Sequence, residues 1–144
     1  GEQEKTVRSP KLPTGLTIRI MDEQDKMAVS GLLGEAPENL RDDHMVSLVA
    51  DWSGWIVAVL RGWLGHPYGH VQMFDVDWKA SAKQRVLSSL WLMRTFEALC
   101  DGVGACGWTA QTAVTNQPMI RLLMTHGGGQ MLPELAHVFV RRWR

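Results

Sequence analysis

Val71-Gln72-Met73-Phe74-Asp75-Val76-Asp77, then Trp78 to Lys83, then Gln84 to Cys100, reads as a strand, a polar loop and a long apolar helix. The first segment mixes β-forming and polar residues and ends in two acids. The last carries Val86, Leu87, Leu90, Trp91, Leu92, Met93, Phe96 and Leu99 with no Gly or Pro, as an uninterrupted helix requires. Where a strand feeds a helix N-terminus, unpaired N–H groups and the helix dipole favour an anion. Every βα unit has such an end, so its neighbours in the sequence must supply the specificity.

Downstream, Gly102, Gly104 and Gly107 predict a loop, and Trp108 to Thr112 a strand. A helix follows over Thr115 to His126, with Pro118 in its first turn, where a missing N–H does no harm. Gly127-Gly128-Gly129 stops it, and Ala136 to Val140 reads as the last strand. Upstream, Val46 to Asp51 and the continuous apolar run Trp55 to Leu60 flank the turn signal Ser53-Gly54, which predicts an antiparallel hairpin. Arg61 to Gly69 reads as the connection onward. Leu16 to Ile20 alternates apolar and polar, as a strand with one buried face does. Asp22 can cap a helix reaching about Leu33, and Glu38 to His44 reads as a second, short one. Residues 1–15 hold Pro10 and Pro13 and read as a polar tail, leaving 16–144 as one domain. The order is β-α-α-β-β-β-α-β-α-β. It implies a mixed α/β (α+β) fold with a mostly antiparallel central sheet flanked by helices.

The 144 residues carry 15 basic and 15 acidic side chains, so no net field recruits nucleic acid or an anionic membrane. No apolar run reaches the ~18 residues of a membrane span. Two cysteines, Cys100 and Cys106, and five scattered histidines give neither a disulfide framework nor a metal-ligand spacing. A reducing, cytoplasmic compartment is expected. The chain opens at Gly1 without Met, as a tag scar or truncation would leave it.

In Asn116-Gln117-Pro118-Met119-Ile120-Arg121-Leu122 followed by Gly127, a helix opens on Asn and closes on Gly eleven residues later. This spacing, with the element order from Leu16 to Val140, resembles the GNAT family of acyl-CoA N-acyltransferases. The resemblance implies acetyl-CoA as cofactor and a small-molecule or protein amine as acceptor, with a homodimer left open. By position, the cofactor-binding roles fall on Phe74 and Val76 of the strand, on Lys83, Gln84, Arg85, Val86 and Leu87 after it, and on Asn116. Asp75 is the first candidate general base and Asp77 the second. The backbone N–H near Val76 would take the oxyanion, and Gln84 to Leu87 would offer free N–H groups to a pyrophosphate.

The chain departs from the family pattern at definite places. The glycine positions of the pyrophosphate loop, Gln/Arg-x-x-Gly-x-Gly/Ala, fall on Gln84 and Val86, and the leading basic position falls on Ser81. Lys83 and Arg85 could supply charge instead. The tyrosine that many members carry seven residues after the Asn is Leu123, which leaves water, or a neighbour such as His126 or Tyr68, to protonate the thiolate. Taken without the resemblance, Asp75 and Asp77 are solvated strand-end acids, and Lys83 and Arg85 an exposed helix start. Trp52, Trp63 and Trp78 lie near turns where they could line a groove. Two functions follow. One is an N-acetyltransferase. The other is a non-catalytic binding or structural protein on the same fold, as similarly eroded domains are among tailed-phage virion and accessory proteins.

Overall fold

A computed structural model of the chain describes residues 12–41, 44–112, 115–125, 130–132 and 137–143. Their elements run β1 (Leu16–Ile20), α1 (Lys26–Leu33), β2 (Val46–Trp52), β3 (Trp55–Trp63), β4 (Tyr68–Val76), α2 (Ala82–Gly102), β5 (Gly107–Thr112), α3 (Gln117–Thr125), β6 (Gln130–Leu132) and β7 (His137–Arg142). The strands form one sheet in the order β1-β2-β3-β4-β5-β7-β6. All neighbours pair antiparallel except β4 and β5, which run parallel because α2 carries the chain back between them.

The β2–β3 hairpin turns on Ser53 (φ 50°) and Gly54 (φ 100°). Two successive positive φ angles match the right-handed twist of the flanking strands. Helix α2 begins two residues before the expected Gln84. Ser81 Oγ accepts the Gln84 N–H at 3.1 Å, and the Gln84 side chain returns to the Ser81 N–H at 3.0 Å. Such a reciprocal cap fixes a helix start. Glu38 to His44 does not form the expected helix. A single 3-10 turn, Pro37–Asn39, stands there, and residues 42 and 43 lie outside the described set. The short strand β6 was not expected. Its three residues lie just past the Gly run, too few to set up a period-2 pattern.

Two apolar layers cover the two faces of the sheet. On one, Leu92, Met93, Phe96 and Cys100 of α2 and Ile120 and Leu123 of α3 pack with Leu48, Ala58, Leu60, Val71, Trp108 and Ala110. On the other, Val29 of α1 packs with Met21, Leu40, Val49, Ile56 and Val59. The α2 face comes close to the sheet. A Cβ on Gly62 would meet the His70 carbonyl at 2.4 Å and Phe96 at 3.0 Å. Side chains that alternate along β4 therefore look into different layers.

Candidate functional site

Strands β4 and β5 pair only over Tyr68↔Gly107 to Val71↔Ala110. Beyond that point β4 continues to Val76, still paired with β3, while β5 continues to Thr112, still paired with β7. The two strands part, and a slot opens through the sheet. The Asp77 N–H bonds back to the Val57 carbonyl of β3 at 2.7 Å. Alternation then turns the backbone groups of Val76 and Phe74 toward the open edge. A register shift in the β3–β4 pair at Arg61/Gly62 bends β4 just before the slot.

Two cavities meet there and share Phe74, Asp75, Asn116 and Met119. The outer one, about 630 Å³, lies between the start of α2 and α3. Arg85, Val86 and Ser89 line one wall, Pro118, Arg121, Leu122 and Thr125 the other, and Trp78 the rim. The Arg85 guanidinium stands 4.8 Å over the Trp78 ring and donates to the Ala80 carbonyl. These contacts orient it, and Arg121 of α3 lines the same cavity. The inner cavity, about 330 Å³, runs from the slot between β4 and β5 and reaches Leu33 at the end of α1. Gly34, at φ 68°, ends that helix in the left-handed turn only Gly adopts freely.

Of the positions singled out from the sequence, Phe74, Asp75, Val76, Arg85, Val86 and Asn116 line these cavities; Asp77, Lys83, Gln84 and Leu87 are not among the lining residues. Asp75 accepts the N–H of Val76 at 2.8 Å. The donor expected to face an oxyanion is thus already engaged, and Phe74 is the next residue on the open edge. Asp77 accepts from the Lys79 N–H at 3.0 Å and the Trp55 indole at 3.0 Å. Those two donors, the Lys79 N–H first, hold its carboxyl below the usual range. Nor are the N–H groups of Gln84 and Arg85 free, as the sequence had suggested. Ser81 takes the first with its hydroxyl and the second with its carbonyl, at 3.0 Å. Ala82 and Lys83 are left as the first-turn residues outside the cap.

Tyr68 opens β4, seven residues from Asp75, or roughly 23 Å along an extended strand. It therefore does not reach the slot, and the ring lies instead 6.0 Å from the Arg142 guanidinium. His126 lies outside the described residues. Asn116 caps α3, with its carbonyl 3.1 Å from the Ile120 N–H. Of the three tryptophans near turns, Trp78 lines the outer of these two cavities, and Trp52 and Trp63 line neither. Trp52 donates to Ser88 Oγ at 2.7 Å, and Trp63 stacks on His70 at 5.6 Å. The sequence reading missed Arg121, Met119 and Ser89 as lining residues. For α3 the signal was there: Pro118, Arg121, Leu122 and Thr125 recur at helical spacing and define the strip that faces the groove.

Among the described residues no cluster of His, Cys, Asp and Glu could hold a metal ion. No helix among them is long and apolar enough to cross a membrane.

No family model and no curated protein matches the chain. Solved structures do. The ribosomal-protein-S18-alanine N-acetyltransferase from Escherichia coli superposes with a TM-score of 0.73 at 12% identity, covering 88% of this chain and 93% of that one. Ard1 from Thermoplasma volcanium gives 0.73 at 18% identity, covering 91% and 99%. The PaiA N-acetyltransferase from Thermoplasma acidophilum, solved in complex with coenzyme A, gives 0.72 at 8% identity, covering 89% and 99%. At such identities the likeness is one of fold.

Proposed function

We propose, on the premise that this chain has the GNAT fold, that it is an acyl-CoA-dependent N-acyltransferase, with acetyl-CoA as the parent donor and an amine as the acceptor. One observation carries this reading. The parting of β4 and β5 leaves an unpaired strand edge at Phe74 where two cavities meet, the outer one carrying Arg85 and Arg121. The residues present fit coenzyme A. Arg85 and Arg121 stand on facing walls of the outer groove, where two guanidiniums can share phosphate oxygens. Trp78, 64% exposed, offers a flat apolar surface beside them. When bound, the thioester supplies an activated acyl group.

The chain's own groups have separate tasks. Phe74 presents its N–H on the open edge, where it can take charge developing on a carbonyl oxygen. Asp75 lines the slot and, in this reading, accepts a proton from an incoming ammonium. Asp77, the second candidate, is held by Trp55 and Lys79 and fixes the end of the strand. Asn116 holds the first turn of α3 against the slot. Leu123, 3% exposed, faces the inner cavity and has no proton to give. A thiolate with a pKa near that of free cysteine, about 8.5, leaves without full protonation.

The second reading, a binding protein without turnover, is favoured by the cap that seals the start of α2 and by the Asp75 carboxylate on the Val76 N–H.

Calorimetric titration with acetyl-CoA and with CoA, followed by CoA release with a panel of amines, separates the two. Arg85→Ala is expected to weaken binding roughly tenfold, as loss of a charge-assisted hydrogen bond does. Lys83→Ala, outside the groove, should leave it unchanged. Leu123→Tyr should raise turnover if a donor is what the site lacks. Binding without CoA release in either wild type or Leu123→Tyr would turn the reading to a binding role.

A further inference from the structure

The inner cavity has a polar mouth and an apolar end. At the mouth stand Gln72, Asp75, Gln111, Thr112 and Asn116. The end is closed by Val71, Met93, Trp108, Ala110 and Leu123, each less than a tenth exposed. These side chains are apolar but for the Trp108 indole N–H, which donates to Glu97 at 3.0 Å. An ammonium at that end would lose its hydration with nothing to replace it. A hydrocarbon chain loses nothing. Met93 and Met119, unbranched and polarisable, can close on chains of different shape.

Size points the same way. A volume of about 330 Å³ is about eleven times a water molecule's share of liquid, well beyond the needs of a two-carbon acyl group even when half is left to the amine. We propose that the inner end binds an acyl chain of roughly four to six carbons, so that a medium-chain acyl thioester is the preferred donor. This rests on the acyl-CoA reading above and names its substrate class. The chain enters past Phe74 and Met119, runs over Ala110 and ends against Trp108 and Met93. The amine approaches from the polar mouth.

The test is titration calorimetry of the whole protein with CoA, acetyl-CoA, butyryl-CoA and hexanoyl-CoA, which reads binding and not activity. Affinity should rise roughly fourfold per added methylene up to about six carbons. Ala110→Val, which fills the floor of the cavity, should cut the affinity ratio of hexanoyl-CoA to acetyl-CoA several-fold. Equal or tighter binding of acetyl-CoA by wild type overturns this inference and leaves the acyl-CoA reading standing. A hexanoyl gain undiminished in a folded Ala110→Val overturns the placement of the chain, and the inference with it. Failure of CoA and of every thioester to bind sinks both readings. The wild-type series decides even if the variant does not fold.

Discussion

Asp25 carries more structure than its place in an acidic first turn suggests. It accepts both Arg19 Nη1 at 2.6 Å and Nη2 at 2.9 Å, and its Oδ2 takes the Asp22 N–H at 2.8 Å. Arg19 reaches on to Asp51 at 3.2 Å, joining β1, β2 and the turn before α1. The Arg19 guanidinium, above all, holds the Asp25 carboxyl below its ordinary pKa, against the burial that would raise it. A lowered folded pKa gives stability that is fully present above the unfolded value, about 3.9, and lost as pH falls through the folded one. Asp25→Asn is therefore expected to cost about 2 kcal/mol at neutral pH. The gap from wild type should shrink toward pH 3 in urea melts. The Asp25–Arg19 pair was not legible in the sequence, because the two residues lie across a turn and no local spacing announces them. Asp75 was legible as a residue of the slot, since the strand that bears it ends there. Its bond to the Val76 N–H was not, because a carboxylate's choice between solvent and its own backbone is not written in residue order.

At the scale of elements, helix α2 does most to shape the site. Its start sets the outer groove and its body covers one face of the sheet. The start depends on Ser81. Ser81→Ala should remove the bond to the Gln84 N–H and cost about 1 kcal/mol, read as a fall of about 2–4 °C in thermal midpoint. An unchanged midpoint would mean that packing alone fixes the start. The strand–loop–helix reading of Val71 to Cys100 located this element because its apolar residues run unbroken and its strand is bounded by acids. The capping box Ser81-x-x-Gln84 was also in the sequence, where it had been set against a phosphate-loop pattern and so read as a departure. The short strand β6 was missed because three residues bear no period. Tyr68 was misjudged as a proton donor because distance along a strand becomes real distance only once the strand is known to be extended.

For the whole molecule, the slot makes the two faces of the sheet unequal partners in one site. The outer groove lies with α2 and α3, while the inner cavity reaches Leu33 of α1. Under the proposed function, donor and acceptor would arrive from opposite sides. Leu33→Trp is expected to raise KM for the amine several-fold and to leave the CoA dissociation constant unchanged. A matching loss of CoA binding would mean that the two sides are not separate. The parallel pairing of β4 and β5 follows from element order, because a long helix between two strands makes a crossover; their parting does not. The seam that joins them, only four residue pairs from Tyr68↔Gly107 to Val71↔Ala110, has a consequence for folding. Strands β1 to β4 pair through antiparallel neighbours, and β2, β3 and β4 follow one another through short turns. The seam requires the chain from residue 77 to residue 106 to be closed as a loop before its first pair forms. Closure entropy is spent before contact is gained, so such pairings come late. Nucleation therefore belongs to the meander of β2, β3 and β4. The slot is expected to form near the end of folding, and its amides to be among the first to exchange when the protein opens.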